Sequence, residues 1–140
     1  MRIMSLDLGS KTIGVALSDP LTITAQVLTS IHRTALAKDL EAILRLVEDH
    51  QVEELVIGLP INMDGSRGGA VDKVETFIDH LSTRLNIKII PWDDRLSTVA
   101  AERILLEGDL SRAKRRKVID RLSAAIILQG YLDSRPRSQG

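Results

Sequence analysis

The apolar positions predict that the chain begins with three strands before it forms a helix. Residues 3–8, 12–18 and about 24–31 are rich in apolar and β-branched side chains, and glycine, serine or proline separates them, as in strands joined by tight turns. The apolar residues that follow recur at steps of three and four, which predicts an amphipathic helix. They are Leu36, Leu40, Ile43, Leu44 and Val47.

The middle of the chain alternates strands and helices. Short apolar runs predict buried strands over residues 54–59 and 87–90. Between them lie a polar, glycine-bearing loop at 61–69 and a segment at 71–85 whose apolar residues have helical spacing. We therefore expect a strand, a loop, a helix and a further strand in that order.

The last third of the chain is predicted to be helical, with one interruption. Ser97 or Thr98 is a suitable cap for a helix that reaches Leu106. Segment 111–117 has no apolar pattern, and we expect it to be mobile. A final helix is predicted over residues 118–132, and the residues expected along one side of it are Leu122, Ala125, Ile126 and Gln129. The whole order predicts an α/β fold in which helices flank a mixed sheet.

Length and composition narrow the class of protein. The 140 residues fit a single domain, which we place at residues 1–133, with a disordered tail at 134–140. The absence of cysteine excludes a thiol nucleophile, a cysteine-based zinc site and an iron–sulfur cluster. The first carboxylate comes at Asp7, and no apolar run approaches the roughly 18 residues that span a bilayer. These features favour a cytoplasmic protein with no membrane segment.

Aspartates stand at the ends of predicted strands. Asp7 ends the first strand, Asp93 and Asp94 follow the last, and Asp120 lies on a small, apolar helix face. If the first and last strands are neighbours, their ends lie side by side, and the clustered carboxylates need a hard divalent cation such as Mg²⁺ or Mn²⁺. Two such ions catalyse phosphodiester hydrolysis. The alternative is structural, because aspartate also suits turns and helix starts.

Two segments carry groups suited to phosphate. The loop at 62–69 contains Asn62, Ser66 and Arg67 between a strand and a helix, although an ordinary polar loop has a similar composition. Basic and acidic residues number 19 each, so attraction to nucleic acid has to be local. A basic cluster supplies such a local field, although a charge run of this kind is often only a solvated face. It consists of Arg112, Lys114, Arg115, Arg116, Lys117 and Arg121.

Four sequence blocks together resemble the signature motifs of the YqgF family. They are DLGSKTIGVA at 7–16, GLPINMDGS at 58–66, DDRLST at 93–98 and DRLSAAIIL at 120–128, and they span nearly the whole chain. The family is described as a pre-16S ribosomal RNA nuclease related to Holliday-junction resolvases. The resemblance implies a ribonuclease H-like fold with a mixed five-stranded sheet, and it implies a nuclease that depends on Mg²⁺ or Mn²⁺.

The resemblance also implies roles for individual residues. It makes Asp7, Asp94 and Asp120 the catalytic metal ligands. The family has Glu where this chain has Asp94, and the shorter side chain leaves Asp93 as a reserve ligand. Groups expected to bind the nucleic acid are Lys11, Asn62, Ser66, Arg67, Arg95, Arg115, Arg116 and Lys117.

The sequence is compatible with three functions. The resemblance favours the 5′ end of pre-16S ribosomal RNA, with ribosomal particles as possible partners. A resolvase acting on branched DNA is the enzyme alternative. A nucleic-acid-binding regulator without catalysis is the other, and Asp94 in place of Glu is its one sequence hint.

Overall fold

The computed structural model describes residues 1–95 and 111–135, without the side chains of residue 112 and residues 115–121. The helix predicted from Ser97 or Thr98 to Leu106 lies outside these residues. Within the described part, strands and helices follow the predicted order. They are β1 (Arg2–Leu8), β2 (Thr12–Ser18), β3 (Ala25–His32), α1 (Leu36–Asp49), β4 (Val52–Leu59), α2 (Gly69–Ser82), β5 (Lys88–Asp93) and α3 (Arg112–Ser134).

The strands form one mixed sheet of five strands in the order β3-β2-β1-β4-β5. β2 is antiparallel to both of its neighbours, whereas β1, β4 and β5 run parallel to one another. The carboxyl ends of these three parallel strands therefore meet at one edge, which we call the C-terminal edge. The condition that the first and last strands are neighbours is not met, because β4 lies between β1 and β5.

Each face of the sheet packs against its own helices. Alternate residues of a strand point to opposite faces, so Leu6 of β1 packs on the side of α1 and α2, while Ile3 packs on the side of α3. β4 divides in the same way, with Ile57 towards α1 and α2 and Val56 towards α3. This alternation decides which strand-end carboxylates can reach α3.

Helix α3 differs from its prediction at its start and in its buried face. It begins at Arg112, within the segment expected to be mobile, and the Ser111 hydroxyl caps it by accepting the Lys114 N–H at 3.3 Å. The expected face was Leu122, Ala125, Ile126 and Gln129. The residues buried against the sheet are Ala124, Ile127, Leu128, Tyr131 and Leu132.

The end of α3 falls inside the region expected to be a tail. The helix reaches Ser134, and Arg135 pairs with Glu54 of β4 at 3.5 Å. Residues 136–140 lie outside the described residues. In the described part of the chain, no helix has the length and apolar character needed to cross a membrane.

Candidate active site

Asp7 lies near the end of β1, on the face that α3 covers. The side chains two and four residues earlier point to the same face of the strand and establish this orientation. Ile3 packs in the core under α3, and the buried Ser5 hydroxyl donates a hydrogen bond to the Ala124 carbonyl of α3 at 2.6 Å. Because side chains alternate along a strand, Asp7 extends the same row by one step towards the C-terminal edge.

Asp94 follows the last residue of β5 and lies over the end of β4. Its N–H donates to the Leu59 carbonyl at 3.4 Å, which continues the pairing of the two strands. A Cβ atom built on Gly58 would lie 3.4 Å from Asp94 Oδ2 and 2.7 Å from Ile127 Cδ1. Glycine at position 58 therefore leaves the space that the Asp94 carboxylate and helix α3 share.

Gly58 also explains how two strands that are not neighbours bring their carboxylates together. Leu6 of β1 pairs with Ile57, so Asp7 comes level with Gly58 one position later. From the side of β5, Asp94 Cβ lies 3.5 Å from where a Cβ on the same glycine would be. A glycine inside a strand often marks a close approach, and Gly58 in the predicted strand 54–59 is the sequence signal for this meeting.

The electrostatic environment of Asp94 opposes its ionisation. Burial, then the Asp7 carboxylate, then the Asp93 carboxylate raise the pKa of Asp94 to about 6. Among the described side chains, none donates a hydrogen bond to the Asp94 carboxylate or pairs with it as a cation. A half-buried carboxylate beside a second carboxylate is a suitable place for a cation.

Asp93 has a different environment from Asp94. Its carboxylate pairs with Arg95 Nη2 at 2.7 Å and accepts the Arg95 backbone N–H at 3.0 Å. These contacts with Arg95 hold the pKa of Asp93 below its usual range. Of the two adjacent aspartates, Asp94 is the one that lies near Asp7.

Asp120 lies on α3, and only its backbone position is described. Tyr131 reaches Glu54 near the start of β4, and Ile127 reaches Gly58 near its end. Towards its N-terminus, α3 therefore approaches the C-terminal edge of the sheet. Residue 120 lies about one turn before Ala124 in this direction. Among the described side chains, no group of three or more histidine, cysteine or acidic residues is placed to hold a metal.

The residues predicted to bind nucleic acid fall into three groups. In the loop between β4 and α2, Asn62 donates to the Ser66 hydroxyl at 2.9 Å, and Arg67 pairs with Glu75 at 2.9 Å. Arg95 reaches this loop, because its Nη1 lies 3.5 Å from where a Gly65 Cβ would be. Lys11 lies in the turn between β1 and β2. The side chains of Arg115, Arg116 and Lys117 lie outside the described set.

A known protein family matches nearly the whole chain. The family model described as "RuvX: Holliday junction resolvase" matches residues 1–134. A protein of Moorella thermoacetica is 58% identical over 133 residues, covering 95% of each chain, and one of Desulforamulus reducens is 52% identical over 134 residues, covering 96% of this chain and 98% of the relative. Both carry the name "Putative pre-16S rRNA nuclease".

Solved structures share the fold at low sequence identity. Thermus thermophilus RuvC in complex with a Holliday junction substrate aligns with a TM-score of 0.57 at 10% identity, covering 91% of each chain. The fowlpox virus Holliday junction resolvase aligns with a TM-score of 0.55 at 16% identity, covering 96% of this chain and all of the viral chain. The predicted ribonuclease H-like architecture is confirmed by these alignments and by the five-stranded mixed sheet.

Proposed function

This chain belongs to the RuvX family, and we propose that it is a metal-dependent nuclease that hydrolyses phosphodiester bonds at the 5′ end of precursor 16S ribosomal RNA. The observation that carries the proposal is the meeting of Asp7 and the half-buried Asp94 beside Gly58 at the C-terminal edge. The names of the relatives supply the substrate class. We place the reaction in the cytoplasm, on precursor RNA or on ribosomal particles that carry it.

The donor set at this edge fits a hard divalent cation. Asp7 and Asp94 offer carboxylate oxygens, which Mg²⁺ and Mn²⁺ prefer. The pKa of Asp94 is raised first by burial and then by the Asp7 and Asp93 carboxylates, and a cation relieves the repulsion among these charges. We assign Asp7 and Asp94 as two ligands. Asp120 is the third, because its place on α3 is nearer to the same edge than Ala124 is. Asp93 is not assigned, since Arg95 already occupies its carboxylate.

Side chains of the protein would hold the metal and offset the charge of the substrate phosphate. When bound, the metal supplies the positive charge that activates a water molecule and steadies the leaving oxygen. The carboxylates of Asp7 and Asp94 repel each other, and the stability of the folded sheet keeps them close together. Lys11, in the turn after β1, and Arg95, beside Asp93, offset the negative charge of the substrate phosphate.

The remaining predicted contacts hold the nucleic-acid strand. Asn62, Ser66 and Arg67 stand on a loop that Arg95 contacts beside Asp94, so a strand bound there passes close to the carboxylates. Arg115, Arg116 and Lys117 lie in the first turns of α3, ahead of Asp120. We propose that they bind backbone phosphates on the other side of the cleavage point.

The proposal is tested by cleavage of an end-labelled RNA that contains the 5′ precursor sequence of 16S ribosomal RNA. We expect cleavage with Mg²⁺ or Mn²⁺ and none with a chelator. A four-way DNA junction and a linear duplex of the same sequence serve as matched substrates. Binding of the RNA without cleavage in any divalent metal would contradict the proposal and favour a non-catalytic regulator.

Resolution of branched DNA is the second candidate, and the description of the matching family model favours it. A resolvase cuts paired strands at symmetric positions of the junction, whereas a maturation nuclease cuts the RNA at one end. Faster cleavage of the four-way junction than of the precursor RNA, with symmetric nicks, would establish this candidate in place of the first.

A further inference from the structure

Arg33 binds the turn between β1 and β2 through both its side chain and its backbone. Its guanidinium Nη1 donates a hydrogen bond to the Gly9 carbonyl at 2.7 Å. Its backbone N–H donates to the Lys11 carbonyl at 2.9 Å. A single residue beyond β3 therefore holds both ends of the segment that bears Lys11.

Arg33 is itself held in place by its surroundings. Asp39, which is only 4% exposed, pairs with Arg33 Nε at 3.5 Å and also accepts the Thr34 N–H at 3.2 Å. The guanidinium lies over the ring of Phe77, with 5.8 Å from Cζ to the ring centroid. An arginine with a carboxylate beside it and an aromatic ring beneath it loses little further freedom when it binds the turn.

The turn that Arg33 holds leads directly from the candidate active site. Gly9 follows Asp7 by two residues, and its N–H donates to the Thr12 carbonyl at 2.9 Å. A Cβ on Gly9 would lie 2.8 Å from that carbonyl, so the turn is tight and admits only glycine there without a shift. The backbone of Lys11 is thus fixed by the turn itself and by Arg33.

We propose that Arg33, held by Asp39, is a positioning residue that sets the Gly9–Thr12 turn so that Lys11 meets the substrate phosphate beside Asp7. The inference rests on the proposed nuclease function. It assigns Arg33 no contact with substrate, because its hydrogen bonds are to the turn and its ion pair is to Asp39. Its effect on cleavage therefore passes through Lys11.

A double-mutant cycle on cleavage of the precursor RNA tests this assignment. We expect Arg33→Ala to lower kcat/KM about tenfold, because a small displacement of a positioning group is costly in catalysis. In a Lys11→Ala background the same change should cost less than about twofold, since the group that it positions is gone. Arg33→Lys, which keeps the charge but lacks the planar fork, should recover only part of the loss.

Controls separate positioning from loss of fold. Arg84→Ala, at an exposed arginine just after α2, should leave kcat/KM unchanged. All rates are measured at a temperature where circular dichroism shows every variant to be folded. If Arg33→Ala proves unstable, the cycle is run with Arg33→Lys and Lys11→Ala instead.

Different results would contradict the role of Arg33 and the nuclease function. Additive effects of the two substitutions, with Arg33→Ala costing about tenfold in the Lys11→Ala background as well, would overturn the positioning role. An Asp7→Asn variant that cleaves as fast as wild type would instead overturn the nuclease site itself. The two failures are therefore distinguishable.

Discussion

Helix α3 has a carboxylate at each end of its contact with the sheet, and the two have opposite surroundings. At one end Glu54 accepts the Tyr131 hydroxyl at 2.7 Å and pairs with Arg135 at 3.5 Å. Burial and Glu54 raise the pKa of Tyr131 to about 12, so its proton stays in place. At the other end Asp94 has carboxylates as its charged neighbours, and its pKa rises to about 6.

In the proposed function, this difference separates a stabilising contact from the reaction site along one helix. The Glu54 end also has Trp92 against Tyr131, with ring centroids 5.5 Å apart in an edge-on arrangement. The charge at this end is balanced by groups of the chain itself, so it fixes the helix on the sheet. At the other end, no cation among the described side chains pairs with Asp94, and it is the end where we propose the metal.

The largest expected effect is at Asp7. Asp7→Asn keeps the size of the side chain but removes the charge, and we expect kcat on the precursor RNA to fall by at least about a thousandfold. The matched control is Glu54→Gln, the same chemical change at the other end of α3, which should change kcat less than about threefold. Equal losses in the two variants would remove the distinction between the two ends.

The next effect separates the adjacent aspartates. Asp94→Asn should lower kcat by about a hundredfold or more, because an amide is a poor ligand for a hard cation. Asp93→Asn weakens only the contact with Arg95 and should cost less than about fivefold. Single-turnover cleavage of the labelled RNA measures both. Equal, small losses would favour a binding protein without catalysis.

The basic residues at the start of α3 should affect binding more than chemistry. Replacing Arg115, Arg116 and Lys117 with alanine should reduce the slope of log K against log salt by about 2 on single-stranded RNA, at about 0.7 per phosphate contact. The rate at saturating substrate should change little. A triple alanine variant of Lys38, Lys73 and Lys88, which are exposed on other elements, is the control. An unchanged slope in the test variant would mean that these residues are only solvated.

The smallest expected effect is at the Glu54 end of α3. Tyr131→Phe removes the hydrogen bond to Glu54 and should lower the free energy of unfolding by about 1 kcal/mol. Cleavage per folded molecule should stay within about twofold of wild type. A large loss of kcat with little change in stability would show that this end takes part in the reaction.

The sequence predicts the elements better than it predicts their arrangement. Helix and strand periods are local, so the order of elements was readable. The insertion of β4 between β1 and β5 depends on long-range pairing, which periodicity does not encode. The buried face of α3 was misjudged because apolar residues lie on more than one side of this helix.

The choice between the two adjacent aspartates needed the exact end of β5. The strand was predicted to stop at Ile90, but it reaches Asp93. The continued alternation puts Trp92 towards α3 and Asp94 one step further on that side. The motif indicates the pair, and the strand geometry supports our proposal that Asp94 rather than Asp93 is the ligand.

Thermal and chemical unfolding of wild type and Asp94→Asn, with and without Mg²⁺, tests the central claim most directly. The folded pKa of Asp94 lies above its usual value, so wild type without metal should lose stability as the pH rises from about 4 to about 6. Asp94→Asn lacks this loss and should be more stable than wild type at pH 7 by roughly 1–3 kcal/mol. Mg²⁺ should raise the Tm of wild type and leave that of the variant nearly unchanged. A variant that is less stable than wild type without metal, together with an equal response of both proteins to Mg²⁺, would contradict the claim that Asp94 is held at a metal site.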